Sequence, residues 1–173
     1  QGRLGVAMLD TGTGLALGWR QDERFAMAST FKAVLAGWIL ALVDQGKERL
    51  DARVHYATAD VVAYSPVSGP RAGAGGGLTV GELCAATVSL SDNTAANLLL
   101  ARHGGPAGFT AFVRSLGDGV TRLDRNEPTL NEVSLGICAV ASHKRRPPSL
   151  PKVQPASPRA RSDLAKGWWS KSP

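Results

Sequence analysis

Phe25-Ala26-Met27-Ala28-Ser29-Thr30-Phe31-Lys32, running into the apolar stretch Ala33 to Val43, is the segment on which the reading of this chain turns. The apolar stretch predicts a helix, closed at Asp44-Gln45-Gly46 where Gly46 suits a left-handed C-cap. Because it is apolar almost all round, the helix is expected to be buried in the middle of a domain. Ser29 and Lys32 then lie on one face, about one turn apart, at its start. A hydroxyl is a poor nucleophile until a neighbour takes its proton, and an amine one turn away is positioned to do so. The first-turn N–H groups favour negative charge building up beside Ser29. Taken alone, S-x-x-K is weak evidence, because a serine near a helix start followed by a surface lysine is the commoner origin of the same pattern.

Working outward, Arg3 to Leu9 and Leu15 to Arg20 flank Asp10-Thr11-Gly12-Thr13-Gly14, a turn composition that predicts an antiparallel hairpin. Beyond the central helix, Asp51 to Ala63 has little periodicity, and Ser68 to Gly77 is a glycine-rich loop without the G-K-[ST] ending of a phosphate cradle. Thr79 with Glu82 three residues later forms a capping box for a helix running to about Leu90. Ser91-Asp92-Asn93 interrupts the pattern, Thr94 to Ala101 resumes it, and Ala107 to Leu116 reads as a further helix after Gly104-Gly105-Pro106. Arg122 to Glu132 reads as a charged loop.

The net charge of +6 is carried entirely by the end of the chain. Residues 1–132 hold 12 basic and 13 acidic residues, whereas 133–173 hold 8 basic residues against Asp163 alone, with six of the ten prolines. The main body therefore carries no electrostatic argument for a nucleic-acid partner. The composition divides the chain into a domain over 1–132 and a basic, proline-rich tail over 133–173, expected to be disordered. The longest apolar run is too short to span a bilayer, so no membrane insertion is expected. His55, His103 and His143 lack metal-ligand spacing, and Cys84 and Cys138 are too few for a disulfide framework. No charged n-region followed by an apolar h-region opens the chain, so a leader is expected to have been removed or never included.

Three segments together resemble the class A serine β-lactamases: Ser29-Thr30-Phe31-Lys32, then Ser91-Asp92-Asn93-Thr94-Ala95-Ala96-Asn97, then Arg125-Asn126-Glu127-Pro128-Thr129-Leu130-Asn131. The resemblance covers about residues 2–132. It implies a serine β-lactamase/DD-peptidase-like α+β fold, here incomplete, with the helical domain and the first hairpin but not the C-terminal strands. It implies that Ser29 is acylated by a β-lactam, that Lys32 and Ser91 relay protons, and that Glu127 with Asn131 holds the deacylating water. Asn93 would bind the substrate's side-chain amide and Tyr64 would line the mouth of the site. The family is exported to the periplasm or beyond and uses no metal or cofactor, and a monomer without nucleic-acid partner is expected.

The chain also departs from that pattern. No K-T-G or K-S-G triplet follows Glu127, although in the family that strand binds the substrate carboxylate and supplies one of two oxyanion donors. Loss of one such donor typically costs about 10²–10³ in kcat. The region around Val140 holds no acid to close the loop from Arg125, so nothing in the sequence is expected to pin Glu127 in place. Where some members place a disulfide partner for Cys84, this chain has Ala36. The tail is read as an out-of-frame or otherwise unrelated extension, and impaired activity is expected. The alternatives are a catalytically inactive fragment or pseudoenzyme, and a penicillin-binding D-alanyl-D-alanine peptidase, against which Glu127 and Asn131 argue.

Overall fold

The computed structural model describes residues 2–21 and 23–129 and the backbone of 137–138. The N-terminal hairpin pairs β1 (Val6–Leu9) with β2 (Ala16–Trp19) antiparallel, Val6 opposite Trp19 and Met8 opposite Leu17. Its turn is set by Asp10, whose carboxylate accepts from the Gly12 N–H at 2.8 Å and the Thr13 hydroxyl at 2.7 Å, an Asx-type closure. The apolar side chains of this hairpin stay in solvent, Trp19 at 67% and Met8 and Leu17 each at 54% exposure. It is a sheet face without cover among the described residues.

A 3₁₀ turn (Ala28–Thr30) carries Ser29 directly into α1 (Phe31–Asp44). The helix stops as its sequence predicts. Gly46 adopts φ +69° and donates to Val43 O, while Lys47 N donates to Leu42 O, the paired bonds of a Schellman ending. Helices α2 (Val80–Ser89), α3 (Asn93–Arg102) and α4 (Gly105–Ser115) pack against it. Helix α1 lies at the centre of the core but is not covered on every side. Phe31, Lys32, Leu35, Ala36, Trp38 and Ile39 are buried, but Ala33 and Gly37, one turn apart, are exposed. Amino-acid type records that a helix can be buried on every side; it does not record which sides find a neighbour.

The core joins Phe31, Leu35 and Ile39 of α1 to Leu83, Leu99, Leu100 and Phe109 of the other helices. Phe31 meets Phe109 edge-on at 6.0 Å, and Trp38 stacks on Phe112 at 5.8 Å. Gly108 lets α4 approach this closely, since a Cβ there would lie 2.1 Å from His103 O and 2.9 Å from the Trp38 ring. The α2 cap is the one expected: Thr79 Oγ1 accepts from Glu82 N at 3.2 Å, and Thr79 N donates to Glu82 Oε2 at 2.7 Å.

Two small antiparallel sheets were not foreseen. β3 (Arg53–Val54) pairs with β4 (Leu78–Thr79), and β5 (Arg122–Leu123) pairs with β6 (Ile137–Cys138). The second corrects two expectations, that Arg122 to Glu132 is wholly loop and that no strand follows Val133. A two-residue ladder is held by backbone bonds and leaves no alternation in the sequence to detect. The remainder of the proposed tail lies outside the described residues. No described helix is long and apolar enough to cross a membrane.

Candidate active site

The site forms where the start of α1, the α2–α3 junction and the loop at Glu127 meet. Ser29 is exposed on its 3₁₀ turn, entered through Ala28 at φ +45°. Ser91, at the junction, has φ +56°, and Tyr64 has φ +60°. Left-handed backbone is costly for residues with a Cβ, and three such residues adjoin this one site.

Lys32 is 2% exposed, and its ammonium is the hub. Its Nζ lies 3.4 Å from Ser29 Oγ, 3.0 Å from Ser91 Oγ, 2.8 Å from Ser91 O, 2.6 Å from Asn93 Oδ1 and 3.2 Å from Glu127 Oε1. Glu127 is buried beside it. The serine hydroxyl and the carboxylate thus both stand within reach of one nitrogen, although they belong to segments nearly a hundred residues apart. A buried carboxylate and ammonium stabilise each other's charge, and removing either strands the other.

Asn93 is held on both sides of its amide. Oδ1 accepts from Lys32 and Nδ2 donates to Ala63 O at 2.9 Å, which leaves one N–H to offer a ligand. Its backbone N donates to Tyr64 O at 3.0 Å, tying Tyr64 to the site; the Tyr64 side chain is 67% exposed. Asn131 lies outside the described residues.

Two positioning residues were missed from sequence. Asp92 caps α3 by accepting from Ala95 N, and it also accepts from Val67 N, Ser68 N and Ser68 Oγ. It thereby fastens the loop after Tyr64 to the Ser91–Asn93 junction. Burial pushes its carboxyl up, but the Ser68 hydroxyl and the three backbone N–H groups outweigh that and hold it below the usual range. A cap was legible in the S-D-N triplet; the partners 25 residues upstream were not. The second is Asn97, whose Oδ1 accepts from Glu127 N and whose Nδ2 donates to Glu127 O, both at 2.9 Å. This pair corrects the expectation that nothing pins Glu127 in place. Asn97 follows Asn93 by four residues in α3, so the two share a face, which is the signal that was available.

Away from the site, Glu48 is buried and accepts a bidentate pair from Arg102 (2.8 and 3.1 Å) and a contact from His103 Nε2 (3.0 Å). The Arg102 guanidinium holds its carboxyl down at about 2. His103 completes this cluster. Cys84 is a free thiol, pushed up to about 12 by burial, and so unreactive. No group of three His, Cys, Asp or Glu residues among the described ones is arranged to hold a metal.

A family model described as beta-lactamase matches residues 1–172, across the composition break at Val133. Among solved structures, an ancestral class A β-lactamase (GNCA) aligns with a TM-score of 0.77 at 59% identity, over 81% of this chain and 54% of its own. The class A β-lactamase of the last common ancestor of Gram-negative bacteria (GNCA4) gives 0.72 at 63%, over 75% and 49%. The putative class A β-lactamase PenP from Rhodopseudomonas palustris gives 0.72 at 58%, over 75% and 49%. Helices with small sheets, arranged as in part of these structures, define an incomplete class A α+β fold. The chain belongs to the β-lactamase family, and it spans about half the length of the solved structures it matches.

Proposed function

We propose that the chain opens the amide ring of β-lactams through an acyl-enzyme on Ser29. The observation that carries this reading is the convergence of Ser29 Oγ, Ser91 Oγ, Asn93 Oδ1 and Glu127 Oε1 on one buried Lys32 ammonium. In acylation Ser29 Oγ attacks the ring carbonyl, its proton passes into the Lys32–Ser91 pair, and Ser91 delivers a proton to the departing ring nitrogen. Lys32 must hand on a proton before it can take one, and Glu127 is within reach to receive it and to return it to Lys32 once the ring nitrogen has been protonated, which leaves Glu127 a carboxylate again. In deacylation Glu127, held at its backbone by Asn97, takes a proton from the water that attacks the ester. Asn93 offers its remaining N–H to the substrate's side-chain carbonyl, Tyr64 edges the mouth, and Asn131 is assigned with Glu127 to the water.

The 173-residue chain contains no K-T-G strand, so turnover is expected well below that of the full-length relatives. By family it acts in the periplasm or outside the cell as a monomer and confers β-lactam resistance.

The test is a chromogenic cephalosporin with the purified chain and its Ser29→Ala and Glu127→Gln variants. Slow turnover by the parent, loss in Ser29→Ala, and an intact-mass increase equal to the acyl group in Glu127→Gln are expected. Turnover that survives Ser29→Ala refutes the assignment.

A further inference from the structure

The segment that carries Glu127 is gripped twice. Asn97 of α3 holds Glu127 N and O, and Thr110 of α4 makes the same kind of closure four residues earlier. Thr110 Oγ1 accepts from Leu123 N at 3.0 Å and donates to Leu123 O at 3.2 Å. A hydroxyl has one proton to give and lone pairs to receive with, so this single group satisfies both main-chain polar atoms of Leu123. Both grips stand on packed helices, since Leu99 and Leu100 of α3 share the core with Phe109, the residue before Thr110.

Burial alternates along the same segment. Thr121, Leu123 and Glu127 are buried, Arg125 is half-buried, and Arg122, Asp124 and Asn126 are exposed. That is the period of extended chain, in which side chains two residues apart share a face. Leu123 and Glu127 therefore point inward together, Leu123 into the core and Glu127 to within 3.2 Å of Lys32 Nζ. In extended chain a slip of one residue turns every inward side chain outward, and a slip here would take Glu127 away from Lys32. The two-residue ladder of β5 and β6 offers little register of its own. Arg114 of α4 also donates to Thr121 O, but its long side chain can follow a shift of the strand, whereas the Thr110 hydroxyl sits one carbon from its own backbone and cannot.

We propose that Thr110 is a positioning residue for deacylation, setting the register of the Leu123–Glu127 segment and so the place of the Glu127 carboxylate, a reading that rests on Glu127 activating the water. The two half-reactions do not need that place equally. In acylation Glu127 meets Lys32 directly, and the flexible lysine arm follows a displaced carboxylate. In deacylation Glu127 must hold a water that in turn has to meet the acyl carbon, where a misplacement of about 1 Å can cost about 10² in rate.

The experiment measures acylation and release separately, by the stopped-flow burst of the chromogenic cephalosporin and by intact mass, in the parent, Thr110→Val and Thr110→Ser. Thr110→Val keeps the shape and removes both bonds; release is expected to fall about 10- to 100-fold and acylation by less than about threefold, so that the acyl-enzyme accumulates. Thr110→Ser keeps the hydroxyl and is expected to stay within about threefold of the parent in both steps. With Glu127→Gln already in place, Thr110→Val is expected to slow release no further, an outcome that a general loosening of the fold would not produce. Should Thr110→Val lose the helical circular dichroism of the parent, Thr110→Cys, close in size and a weak hydrogen-bonding group, takes its place. Unchanged release in Thr110→Val, equal losses of acylation and release, no recovery in Thr110→Ser, or a further loss on top of Glu127→Gln overturns the inference, while Ser29-dependent turnover by the parent leaves the β-lactam reading standing. A parent that is not acylated removes the two together.

Discussion

Glu48 gives a stability test that does not depend on catalysis. Its carboxylate is buried against Arg102, His103 and the Arg49 N–H, and Arg102 above all holds it down at about 2, against an ordinary value of 4.5. A carboxyl depressed in the folded state contributes stability that is fully present above its unfolded value and disappears as pH falls through its folded value. The window therefore runs from about pH 4.5 down to about pH 2. At about 1.4 kcal/mol per unit the depression corresponds to about 3 kcal/mol at neutral pH, nearer about 2 once the partly solvated Arg102 is allowed for. Glu48→Gln keeps the shape and one acceptor but removes the charge. Urea unfolding of parent and variant across pH 7, 5, 4, 3 and 2 is expected to show a gap of about 2–3 kcal/mol at pH 7 that closes toward pH 2. A gap that stays constant over that range would refute the argument, because a purely steric defect has no reason to titrate.

Three further outcomes follow from the same geometry. Asp92→Ala leaves the Val67, Ser68 and Ala95 N–H groups and the Ser68 hydroxyl without their acceptor, and a loss of more than about 3 kcal/mol is expected in denaturant titration. Thr87→Val removes a buried hydroxyl that has no hydrogen-bond partner among the described residues and is expected to raise the unfolding free energy by about 1 kcal/mol; a decrease would show that the hydroxyl is satisfied. Met8→Lys with Leu17→Lys places charge on the exposed hairpin face and is expected to lower aggregation, measured by light scattering, while the helical circular dichroism stays unchanged.

The parts of this molecule that could be read from its sequence are those whose cause is local. The Thr79–Glu82 box and the Gly46 ending depend on residues within a few positions, and both form as expected. Ser29, Lys32, Ser91, Asn93 and Glu127 were legible because their types and order match a known family. What escaped depends on distant pairing. Asp92 and Asn97 look like ordinary polar residues of a helix start and a helix face until the loops they grip, at Val67–Ser68 and at Glu127, are in place. The β5–β6 pair has no pattern to see, and the open flank of α1 at Ala33 and Gly37 reflects a neighbour rather than a residue.

The hairpin's solvent-facing ladder also bears on how the molecule comes apart. The linker from Arg20 to Phe25 carries the exposed Arg20 and Arg24, so trypsin has sites there that separate the hairpin from α1. Ser29, Lys32, Ser91, Asn93 and Glu127 all lie beyond that cut, and the contacts that join them come from the helices and loops that follow. The candidate site and the strands at the chain's start are in this sense separable cargo on one polypeptide, and the contacts that build the site all lie on one side of the cut.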